Sequence, residues 1–126
     1  MYRIEKEFHF SASHQLGGLP DDHQCARLHG HNYILKVALE APSVDDVGFV
    51  VDYGDLDFVK ETVDELDHRH LNDIFDFNPT SENICKHYWS EFREAIIWLE
   101  YDARVDVLEV SLSETPKTWA SYRGNV

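Results

Sequence analysis

The sequence predicts an α+β domain on three observations. Two long alternating segments open the chain, two apolar stripes at helical spacing fill its middle, and alternation returns near its end. At 126 residues it can bury one sizeable core but not two, so one domain over 1–126 is expected.

The first segment runs from Tyr2 to His14. Tyr2, Ile4, Phe8, Phe10 and Ala12 alternate with Arg3, Glu5, Glu7, His9, Ser11 and Ser13, with one lapse at Lys6. That period of two reads as a half-buried strand. Gly17, Gly18, Pro20, Asp21 and Asp22 then form a loop. A second strand covers about His31 to Ala41, with Tyr33, Leu35, Val37 and Leu39 inward, and Pro42 and Ser43 begin the next loop. Phe49-Val50-Val51 is a short extended apolar piece.

Asp52 can cap a helix carrying Leu56, Val59, Val63 and Leu66 on one face. Asn78-Pro79-Thr80 opens a second helix, with Thr80 as its N-cap and Glu82 in the favourable first turn. Its stripe is Ile84, Tyr88, Phe92, Ala95 or Ile96, and Leu99. Near the end, inward parity switches between Val107 and Leu108, which reads as a bulge, and Trp119-Ala120-Ser121-Tyr122 forms a short last strand. Consecutive strands joined by a loop pair antiparallel, which leaves the helices over one sheet face.

Charge and composition exclude several classes. A net charge of −13 opposes nonspecific binding to nucleic acid or an anionic membrane. A phosphate-bearing substrate would therefore need a local basic or metal-lined pocket. No apolar run approaches the ~20 residues of a membrane span. The opening Met1-Tyr2-Arg3-Ile4-Glu5-Lys6-Glu7 lacks a secretory apolar region, so a cytoplasmic protein is expected. Cys25 and Cys85 allow at most one internal bridge and suggest no disulfide framework.

If the first two strands pair antiparallel, His14 at the end of one lies beside His29 and His31 at the start of the other. By parity all three face the same side as the apolar residues behind them, and Gly30 permits close approach. Three imidazoles converging with an open fourth position describe a catalytic zinc site more readily than three unrelated strand ends. His9 faces the other way, and His23 and His87 lack a partner pattern, so these three are expected at the surface.

Cys25 sits in the loop four residues before His29. Beside a metal it reads as a reactive thiolate, whereas Cys85, at the second helix's apolar stripe, reads as a small buried side chain. Asp67-His68 at the end of the first helix serves equally as an acid/base pair or as basic complement to the helix dipole. Glu114 continues the inward parity of Leu108, Val110 and Leu112. It is either a carboxylate awaiting a cationic or multi-donor ligand edge or an exposed strand end.

Five motifs stand in order along nearly the whole chain. They are Phe10-Ser11-Ala12-Ser13-His14; Cys25-Ala26-Arg27-Leu28-His29-Gly30-His31-Asn32-Tyr33; Val51-Asp52-Tyr53 with Leu66-Asp67-His68; Pro79-Thr80-Ser81-Glu82-Asn83; and Val110-Ser111-Leu112-Ser113-Glu114-Thr115. In this arrangement the chain resembles the 6-pyruvoyltetrahydropterin synthase family. The three residues between Cys25 and His29 resemble more closely its bacterial branch, the 6-carboxytetrahydropterin synthases of queuosine and deazapurine biosynthesis.

The resemblance implies a tunnelling fold (T-fold), a four-stranded antiparallel sheet with two helices on one face. It also implies trimers stacked as a hexamer, which would close the edges of long strands. Family sites lie between subunits, so Cys25 and the Asp67–His68 pair could come from different chains. The implied reaction converts 7,8-dihydroneopterin triphosphate to 6-carboxy-5,6,7,8-tetrahydropterin, releasing acetaldehyde and triphosphate, with Zn2+ as the only cofactor. In that reading His14, His29 and His31 hold zinc, Cys25 moves protons, and His68, oriented by Asp67, is the partner acid/base. Glu114 anchors the pterin edge, with Thr80, Ser81 and Glu82 at the rim. Charge and loop position nominate Arg27, Arg69 and Lys117 for the triphosphate.

The alternatives are 6-pyruvoyltetrahydropterin as product, or a noncatalytic pterin- or metal-binding relative. A binder has no need of Cys25, Asp67 and His68 together. A zinc hydrolase would need a glutamate beside the histidine pair, which this sequence lacks.

Overall fold

The computed structural model describes residues 1–125. Two long strands, β1 (Tyr2–His14) and β2 (His29–Ala41), pair antiparallel from Tyr2 opposite Ala41 to His14 opposite His29. The expected alternation is present: Phe8, Phe10, Tyr33, Leu35, Val37 and Leu39 are all buried. The lapse at Lys6 has a local cause. Its ammonium donates to the Tyr53 carbonyl at 3.1 Å and to Asp57 Oδ1 at 3.0 Å, so the stem can lie inward while the charge is satisfied.

Asp52 does cap, but it caps a short 3₁₀ turn (Tyr53–Leu56), accepting from the Gly54 N–H at 2.9 Å. The helix proper, α1 (Phe58–Leu66), follows and buries Val59, Val63 and Leu66. A one-turn helix α2 (Leu71–Ile74) precedes α3 (Ser81–Trp98). Thr80 caps α3 by accepting from the Asn83 N–H at 3.1 Å. The α3 stripe buries Ile84, Tyr88, Phe92 and Ile96, while Leu99 falls past the helix end and is exposed.

The sheet corrects the expected strand count. It has five strands in the order β3-β1-β2-β4-β5, where β3 is Arg69–His70, β4 is Val107–Thr115 and β5 is Thr118–Tyr122. The additional strand, β3, is two residues long and parallel to β1, with Ala12 opposite Arg69 and Ser13 opposite His70. It forms because the chain leaving α1 is held against β1 by hydrogen bonds to both backbone groups of Ser11. The Ser11 N–H donates to Asp67 Oδ1 at 2.9 Å, and its carbonyl accepts from the His68 N–H at 2.6 Å. The remaining pairings are antiparallel, so the sheet is mostly antiparallel, with few helices.

The bulge expected at Val107–Leu108 is not there. Val105 is buried in the turn before β4 rather than in the strand, which produces the apparent parity switch. The irregularity lies instead in the β4–β5 pairing, between Leu112 and Thr115. Among the described residues no helix is long and apolar enough to cross a membrane.

Candidate metal centre and surrounding groove

The β1–β2 register sets His14 directly opposite His29, and His31 opposite Ala12 one step away. One ring nitrogen from each of the three histidines lies within 4.8 Å of the others. A Cβ at position 30 would stand 3.4 Å from the Ala12 carbonyl oxygen, so glycine suits the tight approach there. Tyr33, inward on β2 next to His31, stacks on Phe10 with centroids 4.8 Å apart and brings its hydroxyl to 3.3 Å from His14 Nδ1.

The hydrogen bonds fix two tautomers. His14 Nδ1 lies 2.9 Å from the Pro79 carbonyl and His29 Nδ1 lies 2.7 Å from the Arg27 carbonyl. A carbonyl only accepts, so both Nδ1 atoms carry protons, and in the neutral rings both Nε2 atoms present lone pairs. Those two Nε2 atoms face each other at 3.0 Å. Two lone pairs at that distance repel unless a cation stands by them. Burial pulls the His14 pKa below its ordinary value, which opposes a proton in that role. His31 Nε2 is buried with no hydrogen-bond partner among the described residues, and burial lowers the pKa of this ring too. In their neutral form the three imidazoles can hold a metal ion, with carbonyl partners orienting two of them.

Glu114 adjoins this centre. Its Oε2 lies 3.7 Å from His31 Nε2, and its Oε1 accepts from the buried Ser81 hydroxyl at 2.6 Å. Glu114 is thus half-buried and partnered, not an exposed strand end. A small pocket of ≈ 230 Å³ is lined by Glu114, Ser81, Glu82 and Trp119 among others. Thr80 lies one residue away, with its hydroxyl engaged as the α3 cap.

Asp67 and His68 stand on the other side. Asp67 Oδ2 lies 3.1 Å from His68 Nδ1, and the His68 ring is open to solvent. The Ser11 N–H first, and His68 second, hold the Asp67 carboxyl below the ordinary range. His68 adopts a left-handed backbone, φ 59°, which an L residue with a β-carbon takes at a cost. A groove of ≈ 610 Å³ has His68, Arg69, His70, Ser11, Ser13 and Asn32 on its walls, together with His31. One groove thus touches both the histidine cluster and the Asp67–His68 pair.

Cys25 is half-buried in a 3₁₀ turn (Gln24–Ala26) two residues before the Arg27 carbonyl that orients His29. Arg27 and Lys117 are exposed, on the loop before β2 and in the β4–β5 turn. Of the three nominated cations, Arg69 lies on the ≈ 610 Å³ groove.

Several participants gave no sequence signal. The Pro79 carbonyl is a backbone atom far along the chain from His14. His70 donates or accepts at 2.9 Å with the Ser13 hydroxyl. Asn72 and Asn78 clamp the segment after β1 by reciprocal bonds, Asn72 to Gln15 at 2.9 and 2.8 Å and Asn78 to Gly17 at 2.9 and 3.2 Å. Asn-backbone pairing needs only the right place in space, so no spacing rule finds it. His9 is exposed as expected. His87 is half-buried instead, packed edge-on between Phe75 and Tyr88 with centroids 5.4 and 4.8 Å away. His23, though exposed, accepts a hydrogen bond from the Cys25 N–H.

Comparison with known proteins agrees with this fold. A family model described as 6-pyruvoyl tetrahydropterin synthase matches residues 3–125. An Archaeoglobus fulgidus protein provisionally named 6-carboxy-5,6,7,8-tetrahydropterin synthase is 35% identical over 115 residues, covering 90% of this chain and 89% of its own. The 6-carboxy-5,6,7,8-tetrahydropterin synthase of Bacillus subtilis is 29% identical over 131 residues, covering 97% and 85%. The structure of Caenorhabditis elegans 6-pyruvoyl tetrahydropterin synthase matches with a TM-score of 0.77 at 29% identity, over 98% of this chain and 96% of that one. By sequence and by fold, the chain belongs to the 6-pyruvoyl tetrahydropterin synthase family, a family of tetrahydropterin synthases.

Proposed function

We propose that this chain is a zinc-dependent carbon–carbon lyase, a single catalytic domain that converts 7,8-dihydroneopterin triphosphate to 6-carboxy-5,6,7,8-tetrahydropterin, acetaldehyde and triphosphate. The observation that carries the reading is the pair of opposed Nε2 atoms on His14 and His29, with His31 and Glu114 alongside. The branch rests on the three residues between Cys25 and His29 and on the carboxy-type names of the relatives above.

His14, His29 and His31 would hold the ion, which when bound supplies Lewis acidity toward the substrate's side-chain hydroxyls. Glu114, fixed by Ser81, accepts hydrogen bonds from the pterin's amino-pyrimidine edge. The Ser81–Glu114 bond pre-orients the carboxylate, so little reorganisation accompanies binding. Cys25 removes and returns a proton at the substrate side chain, and His68 exchanges the matching proton at its ring nitrogen, oriented by Asp67. The flank of His68 away from Asp67 is open to solvent and to the groove, where Arg69 can meet phosphate oxygens. Cys25 and His68 can be drawn from different subunits of a hexamer built from two trimers. A cytoplasmic setting, where thiols stay reduced, suits the free Cys25.

Incubating the zinc-loaded protein with dihydroneopterin triphosphate and identifying both fragments by mass spectrometry tests the reading. Acetaldehyde and the 6-carboxy product are expected. A 6-pyruvoyl product without acetaldehyde moves the chain to the other branch, and recovery of intact substrate makes it a binding relative.

A further inference from the structure

We propose that His23 is a positioning residue for Cys25, acting through a side-chain cap on the turn that carries the thiol. The inference rests on the reading that Cys25 moves protons in the reaction.

Both backbone groups of Cys25 are held. Its N–H donates to His23 Nδ1 at 3.0 Å, and its carbonyl accepts from the Leu16 N–H at 2.9 Å. His23 is itself the N-cap of the Gln24–Ala26 turn, with extended dihedrals of φ −70° and ψ 131°. Its own N–H donates to the Pro20 carbonyl at 2.9 Å, and its carbonyl accepts from the Ala26 N–H at 3.0 Å. The residue therefore ties Pro20 and Ala26 to Cys25. A peptide N–H only donates, so Nδ1 must keep its lone pair and the ring proton sits on Nε2.

This arrangement departs from ordinary capping. Serine, threonine, aspartate and asparagine are the favoured cap residues, and an imidazole is an uncommon substitute. A three-residue turn also makes few bonds of its own, so each external tie matters more to where its side chains point. Two residues on, the Arg27 carbonyl orients His29. The cap thus fixes the thiol's backbone within the same short loop that fixes a histidine of the metal cluster. The segment's start is anchored independently by Asn72 and Asn78, so loss of the His23 bond frees the turn without releasing the loop.

The test compares His23→Ala, which removes the acceptor, with His23→Asn, whose side-chain oxygen can accept the same N–H. Cysteine alkylation by iodoacetamide at about pH 8 reports on Cys25, since Cys85 is buried and its thiol is pushed up to about 12 by burial. His23→Ala is expected to lower kcat at least about fivefold with KM within about twofold, to retain zinc, and to label several times faster. His23→Asn is expected to regain most of the turnover and wild-type labelling. Wild-type labelling in His23→Ala overturns the proposal, as does an equal loss of kcat in both variants or loss of zinc in either. A Cys25→Ala variant with normal turnover instead removes the proton-transfer reading, and the labelling comparison still decides whether His23 holds the turn.

Discussion

His14 and His29 point their Nε2 atoms at each other across 3.0 Å, each oriented by a backbone carbonyl on its far side. With both rings neutral the arrangement is unfavourable without a cation, so metal removal should be felt in stability as well as activity. An ion present at about a thousand times its Kd stabilises the folded chain by about 4 kcal/mol. Chelation with subsequent dialysis is therefore expected to lower Tm by several degrees and abolish turnover, with both restored by zinc. His29→Ala should show the low Tm with or without zinc. Thermal denaturation with metal analysis checks this, and a Tm indifferent to chelator contradicts it.

Ser81 and Glu114 make a separable pair. Hydrogen bonds to charged groups contribute about 1.5–3 kcal/mol, and the Ser81 hydroxyl donates to Glu114 at 2.6 Å. Ser81→Ala should raise KM roughly tenfold while kcat changes little, because the carboxylate remains but is no longer held. Glu114→Ala should weaken pterin binding further, and the double variant should be no worse than Glu114→Ala alone. Binding titrations with a nonreactive pterin measure the coupling; additive losses would show that the two act independently.

Parity arithmetic made the histidine cluster legible, since a strand's side chains alternate with a period of two and β1 and β2 pair in register to their ends. The cap at Thr80, and the capping by Asp52 though not the element it caps, were legible because capping is local chemistry. What the sequence hid was non-local or backbone-borne. The Pro79 carbonyl beside His14, the Ser81–Glu114 bond and the Asn72 and Asn78 clamps join residues that share no pattern. The strand β3 escaped because two residues cannot display a period, and it depends on Ser11 meeting Asp67 and His68.

Asp67 gives a pH signature. Its carboxyl is held low, chiefly by the Ser11 N–H and next by His68, so the folded chain favours the ionised form more than the unfolded chain does. The stability it contributes is present above the unfolded value of about 3.9 and is lost as pH falls through the lower folded value. The Tm difference between wild type and Asp67→Asn should be present above the unfolded carboxyl value of about 3.9 and shrink as pH falls below it. Melting curves across that range check the sign. A difference that grows on acidification would mean that Asp67 is favoured in its protonated form.

His68 combines a strained backbone with an exposed ring, and two substitutions separate these features. With φ at 59°, the residue takes a conformation that glycine adopts freely and a β-carbon makes costly by about 1–2 kcal/mol. The strain is imposed by the His68 N–H bond to the Ser11 carbonyl and by the β3 pairing that follows at Arg69 and His70. His68→Ala removes the imidazole but keeps the strain, whereas His68→Gly removes both. Stability should therefore rise from alanine to glycine by about 1 kcal/mol, against the usual penalty of glycine within a regular element. Activity should fall in both by about 10²–10⁴-fold, the range expected for loss of a general acid or base. Denaturation midpoints read the first effect and turnover the second. If glycine melts below alanine, the left-handed backbone is not held under strain. If either variant keeps near-normal turnover, His68 is not the proton-transfer partner.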